Sequence, residues 1–163
     1  MRDEFSTLDI VKALEIQRER LREWMVQEFI KPTVSASGKG TRALFTRKDV
    51  YCVELFRQLV DIGINRDTAH HFSNFYRNRS MSDNEDLYYM LIRYGVQIGR
   101  DNHEYGPEYS ALFLAKDMTI NLERGCAGDK SEMSHFFTDD WRILHLINLH
   151  VLKQNTDTML NKL

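Results

Sequence analysis

Cysteine is scarce in this chain. Cys52 and Cys126 are the only two in 163 residues and stand far apart, which excludes a disulfide framework and a CxxC zinc site. Cys52 lies in an apolar helical stretch and reads as a small core residue. Long apolar runs are also missing. The longest, Leu87 to Ile92 and Ile143 to Leu149, fall far short of the roughly 20 residues that cross a bilayer, so no transmembrane helix is expected. The opening Met1-Arg2-Asp3-Glu4-Phe5 carries acids where a secretion signal has a basic flank and an apolar stretch; a cytoplasmic protein is expected.

Several chemistries lack their signatures. There is no Gly-rich phosphate loop, nucleophile elbow or paired-carboxylate constellation, which argues against an enzyme, so no catalytic residue is assigned. His70 and His71 are adjacent on a predicted helix and point about 100° apart, while His145 and His150 are five apart across a predicted strand-to-helix change. Neither pair has the spacing of three or four that sets two ligands on one helical face. No metal and no other cofactor is expected.

What is present suits a folded domain, or two small ones. Hydrophobic residues make up 42% and charged residues 28% of the chain, ordinary values that exclude wholesale disorder. The charge is unevenly spread. Residues 1–80 hold 14 Lys/Arg against 11 Asp/Glu, and residues 81–163 hold 8 against 13. Between Lys31 and Lys48 there are five basic residues and no acid, the footprint of a phosphate-facing surface or of a solvated basic loop.

Local patterns order the first half. Ser6 with Asp9 approximates a capping box ahead of a short amphipathic helix through Leu8, Ile10, Val11 and Leu14. Glu15-Ile16-Gln17 is a tight connection, and Gln17 to Phe29 resumes helical spacing with Leu21, Trp24 and Met25 directed to the core. Lys31-Pro32 is expected to stop that helix. Thr33 to Thr46, polar and Gly-containing with β-compatible flanks, predicts a hairpin or wing. Thr46 with Asp49 forms a second capping pair before an apolar helix ending at Gly63. Asn65 caps a fourth helix, and Arg77 to Glu85 reads as a linker.

Beyond the linker the period changes. Leu87–Tyr94, Tyr109–Lys116 and Trp141–Asn148 read as strands. Leu149 to Leu163 returns to helix, with apolar or small residues at 149, 152, 156, 159 and 163, the 3-4 spacing of a coiled-coil seam. Twelve of the eighteen aromatics fall from Phe72 onward. Core packing of a small α+β domain accounts for them, with an apolar effector pocket as the alternative.

Helix, tight turn, helix, basic hairpin, helix is the order of a winged helix-turn-helix. Residues 5 to 72 resemble the DNA-binding domain of the MerR family of transcription regulators. Leu21-Arg22 stands at that family's Leu-Arg pair, Glu23-Trp24 at its two aromatics, and Phe29-Ile30-Lys31-Pro32 at its Leu-Leu-x-Pro stop. Gly40-Thr41-Arg42 with Phe45 matches the wing; Asp49-Val50, Leu59 and Ile62-Gly63-Ile64 match the last helix. The chain departs from the pattern at Glu15, where the turn glycine stands, at Glu23, and by one extra wing residue between Arg42 and Phe45. For Glu15 to serve, its backbone is expected to avoid the left-handed region.

The resemblance implies a second helix in the major groove, which turns Gln17, Arg18, Arg20 and Arg22 toward DNA or solvent. The alternative is a solvated face in which the arginines pair locally with Glu19 and Glu23. Lys39 and Arg42, in the wing, are expected on backbone phosphate. The resulting expectation is an α+β protein: a winged helix-turn-helix domain over 1–80, then an acidic α+β effector and dimerisation domain over 81–163 ending in a helix at 149–163. Leu149, Leu152, Met159 and Leu163 are expected at the dimer interface. The expected partners are double-stranded DNA, a second copy, and a small-molecule or protein effector. Alternatives are an excisionase-like architectural protein and an interaction module with a degenerate helix-turn-helix.

Overall fold

The computed structural model describes residues 3–38, 41–78, 89–98, 104–114 and 141–163. The elements in order are β1 (Glu4–Ser6), α1 (Thr7–Ala13), α2 (Arg18–Val26), β2 (Leu44–Thr46), α3 (Arg47–Asp61), α4 (Arg66–Asn78), β3 (Tyr89–Ile98), β4 (Glu104–Leu114), β5 (Trp141–Asn148) and α5 (Leu149–Leu160). They form two compact units, Met1–Ser80 with Val151–Leu163, and Met81–His150. The fold is α+β, and its N-terminal part is a winged helix-turn-helix.

Both expected capping boxes form. Ser6 Oγ accepts from the Asp9 backbone N–H at 3.3 Å while Asp9 Oδ2 accepts from the Ser6 N–H at 2.7 Å. Thr46 and Asp49 repeat the exchange at 3.2 and 2.9 Å. Each box satisfies N–H groups that a helix start leaves orphaned. Each also follows a three-residue strand, and the two strands pair antiparallel with Phe5 opposite Phe45. So short a ladder is marginal alone; here both phenylalanines are fully buried. The sequence pattern had not disclosed β1.

The helix-turn-helix core gathers on α3, which buries Val50, Val53, Leu55, Phe56 and Leu59 and packs against α4. Trp24 meets Phe56 edge-on with centroids 5.0 Å apart, and Phe29 stacks on the same ring at 5.7 Å. Asn65 Oδ1 accepts from the Thr68 N–H at 2.9 Å, as its capping role requires. Cys52 is buried, and burial pushes its thiol pKa up to about 12.

Two expectations about helix ends are corrected. α2 stops at Val26, well before Pro32, because Glu28 takes a left-handed backbone with φ 61. The Phe29 N–H then reaches the Trp24 carbonyl at 2.9 Å and the Glu28 N–H reaches Met25 at 3.1 Å, a complete Schellman closure without glycine. Gly63, φ 96, closes α3 with the same pair of bonds. The linker expected from Arg77 begins later, since α4 continues to Asn78 and Arg77 bonds the buried Asp49 at 3.0 Å.

In the second unit β3 is the central strand of an antiparallel sheet of order β4-β3-β5. Tyr89 pairs with Leu114 on one side and Asn148 on the other. Met90, Leu91 and Ile92 are buried. Cys126, Tyr88, Phe136 and Phe137 lie outside the described residues, as do the side chains of most other aromatics of this unit, so the effector-pocket reading falls there too. Phe72 and Tyr76 are buried in the first unit.

The terminal residues 151–163 belong to the first unit. Leu149, Leu152, Thr156 and Leu160 are buried, whereas Met159 is 38% and Leu163 47% exposed. Leu149 and Leu152, expected at a seam between copies, are thus covered within a single chain. Asp157 fixes α5 in place, accepting from Arg47 Nη1 and, at 2.7 Å, from the Tyr51 hydroxyl. Burial first, then that bond, raises the pKa of Tyr51.

Candidate nucleic-acid interface

Three short pieces of the first unit enclose a cleft of about 400 Å³: the start of α1, one face of α2 and the wing. Its walls include Thr7 and Leu8, then Arg18, Arg22 and Met25, then Thr41 and Arg42. Arg18, Arg22 and Met25 are spaced i, i+4 and i+7, which aligns them along one side of a helix. Met25, expected in the core, is half-buried at this wall.

The wing is a minimal hairpin. Val34 and Leu44 exchange backbone hydrogen bonds of 3.0 and 2.9 Å, and Thr41 Oγ1 both accepts from the Gly38 N–H at 2.9 Å and donates to its carbonyl at 2.7 Å. Its base is tied down where the Thr33 hydroxyl donates to the buried Asp49. Lys39 lies outside the described residues. Arg42 is exposed on the cleft.

The four candidates on α2 separate. Arg18 and Arg22 are exposed on the cleft side. Gln17 is the N-cap of α2, exposed, with a side chain that makes no capping bond. Arg20 points elsewhere: its Nη2 donates to Asp61 Oδ1 at 3.0 Å, and its guanidinium lies 4.8 Å from the centroid of the buried Trp24 ring. Glu23, one of the departures from the family pattern, accepts from Arg66 at 2.6 Å. Among the described residues the α2 arginines make no ion pair with Glu19 or Glu23; Arg20 pairs with Asp61 of α3, and Glu23 with Arg66 of α4.

Electrostatics distinguish the cleft from the rest of the unit. Arg20, Arg47, Arg57, Arg66 and Arg77 are each ion-paired with a carboxylate. Arg18, Arg22 and Arg42 have no such partner among the described residues. Arg47 is held in its charged form chiefly by the Asp157 hydrogen bond, which raises its pKa. A concave wall with unneutralised guanidinium groups attracts polyanions, and the planar fork of Arg suits phosphate and guanine edges. Among the described residues no group of His, Cys, Asp and Glu could hold a metal, and no helix is long and apolar enough to cross a membrane.

The connection that aims α2 is strained. Glu15 adopts φ 52, so it does not avoid the left-handed region, at a cost of roughly 1 kcal/mol for a residue with a Cβ. It thereby reproduces with glutamate the bend for which glycine is the unstrained choice.

A domain of two helices joined by a tight turn, a wing and a long packing helix is a winged helix-turn-helix, a fold that places its second helix in the major groove of DNA. Residues 5–74 match the family model described as MerR HTH family regulatory protein, so the N-terminal domain is a MerR-type helix-turn-helix, the DNA-binding module of transcription regulators. No curated protein matches the chain.

Proposed function

We propose that the protein is a sequence-specific transcription regulator, acting in the cytoplasm rather than as an enzyme, that binds double-stranded DNA as a homodimer on a two-fold operator. The observation that carries this reading is the cleft: among the described residues, the arginines without a carboxylate partner are the ones that line it together. Arg18 and Arg42 take backbone phosphates on either side of the cleft, and Lys39 is assigned a further phosphate on its place in the basic stretch of the sequence. Gln17 and Arg22 reach base edges. Arg20 has another task, holding α2 against α3 through Asp61.

A two-fold operator needs two recognition helices one helical turn apart, about 10 base pairs. Met159 of α5 and Leu163 just beyond it, both exposed, are the surface proposed for the second copy. An effector acting through the second unit remains part of the reading.

The test is selection of duplexes from a random pool with the full chain, followed by footprinting and sedimentation. A symmetric footprint with two half-sites and a dimer that falls to monomer in M159D/L163D is the expected result. A monomer bound to one asymmetric site overturns the homodimer. Binding that bends any duplex without selecting a sequence replaces the regulator with an architectural protein.

A further inference from the structure

Val26 is the most exposed large hydrophobic side chain among the described residues, at 73%, and it occupies the last position of α2. It follows Glu19 by seven residues and Arg22 by four, so these three form a stripe on the outer side of the helix. Leu21 and Trp24 on the opposite side are fully buried. Packing gives no reason for a branched aliphatic group at this place, and valine is a poorer helix former than the alanine, lysine or glutamate that an idle surface position takes.

The stripe is unsuited to the phosphate backbone, because it offers one cation, one carboxylate and one apolar group. It suits the floor of the major groove. There Arg meets guanine, Glu accepts from the cytosine amino group, and an apolar side chain meets the C5-methyl group of thymine. The cations suited to phosphate, Arg18 and Arg42, stand to one side along the cleft.

We propose that Val26 is a specificity-determining residue that reads thymine through its C5-methyl group. The inference rests on the DNA-binding reading above, and its test separates the two. A tight duplex is first selected from a random pool with the full chain. Each thymine in the footprint is then replaced singly by deoxyuridine, which removes the methyl group and keeps base pairing. At one thymine per half-site the wild-type protein loses about fourfold in affinity, the worth of one buried methylene-sized group. V26A binds the thymine and uracil forms of that site equally, while its helical circular dichroism is unchanged.

If no uracil substitution weakens the wild type, or if V26A keeps the wild-type preference for thymine, the assignment of Val26 is overturned and DNA binding stands. If no duplex is enriched from the pool, the DNA-binding reading fails and takes this inference with it.

Discussion

Arg20 donates to Asp61 at 3.0 Å, and this bond takes the middle arginine of α2 away from the cleft that Arg18 and Arg22 line on either side of it in sequence. The two groups of the pair are 39% and 42% exposed, so their attraction is well screened. R20A therefore lowers stability by about 1 kcal/mol or less in urea unfolding, and leaves the salt dependence of DNA binding as in the wild type. A loss of affinity on R20A equal to that of R18A contradicts the separation.

Glu15 and Gly63 end their helices with left-handed backbones, φ 52 and 96, and they predict opposite signs. E15G relieves roughly 1 kcal/mol of backbone strain and gives part of it back through a freer unfolded chain, so stability stays level or rises. In G63A the added Cβ meets nothing within 4 Å, so the cost comes from the backbone alone, about 1 kcal/mol. Denaturation midpoints of the two variants check both signs.

Cys52 predicts a pH response. Its thiol is raised from 9.0 to about 12 by burial, so folding favours the protonated form. The stabilisation is full below pH 9 and is lost as pH rises toward 12, because the unfolded chain releases this proton first. With Cys126 replaced by serine, native protein at pH 8 is expected to resist iodoacetamide until denaturant is added. Rapid native labelling contradicts the burial.

Asp157 joins α5 to α3 through Arg47 and Tyr51. D157A removes the carboxylate that the Tyr51 hydroxyl and Arg47 Nη1 both donate to, which costs about 1 to 3 kcal/mol. Y51F removes the weaker of the two bonds and costs less. Hydrogen exchange in residues 151–160 is expected to rise in D157A before the rest of the first unit responds.

Much of this architecture was legible because its determinants are local. The capping pairs Ser6 with Asp9 and Thr46 with Asp49 lie three residues apart, and the turn-forming composition from Thr33 to Thr46 marked the wing. The three strand runs after the linker are observed as β3, β4 and β5. What escaped depends on distant partners. β1 is three residues that extend against β2, about forty positions on, and Arg20 could not be separated from Arg18 without Asp61. The end of α2 was misplaced because glutamate at 28 took a conformation that sequence patterns assign to glycine, which left Pro32 as the visible stop. The terminal helix showed its apolar face through 3-4 spacing, but nothing in that spacing reveals that Arg47 and Tyr51 hold it to the first unit.

Whether the cleft of Arg18, Arg22 and Arg42 takes DNA phosphates is read from the salt dependence of affinity for a selected duplex, comparing the wild type with R18A/R42A. Each phosphate neutralised contributes about 0.9 to the slope of log K against log salt. The double variant is expected to bind all duplexes more weakly, with a slope flatter by about 2. An unchanged slope, or a wild type whose duplex affinity does not respond to salt, contradicts that role.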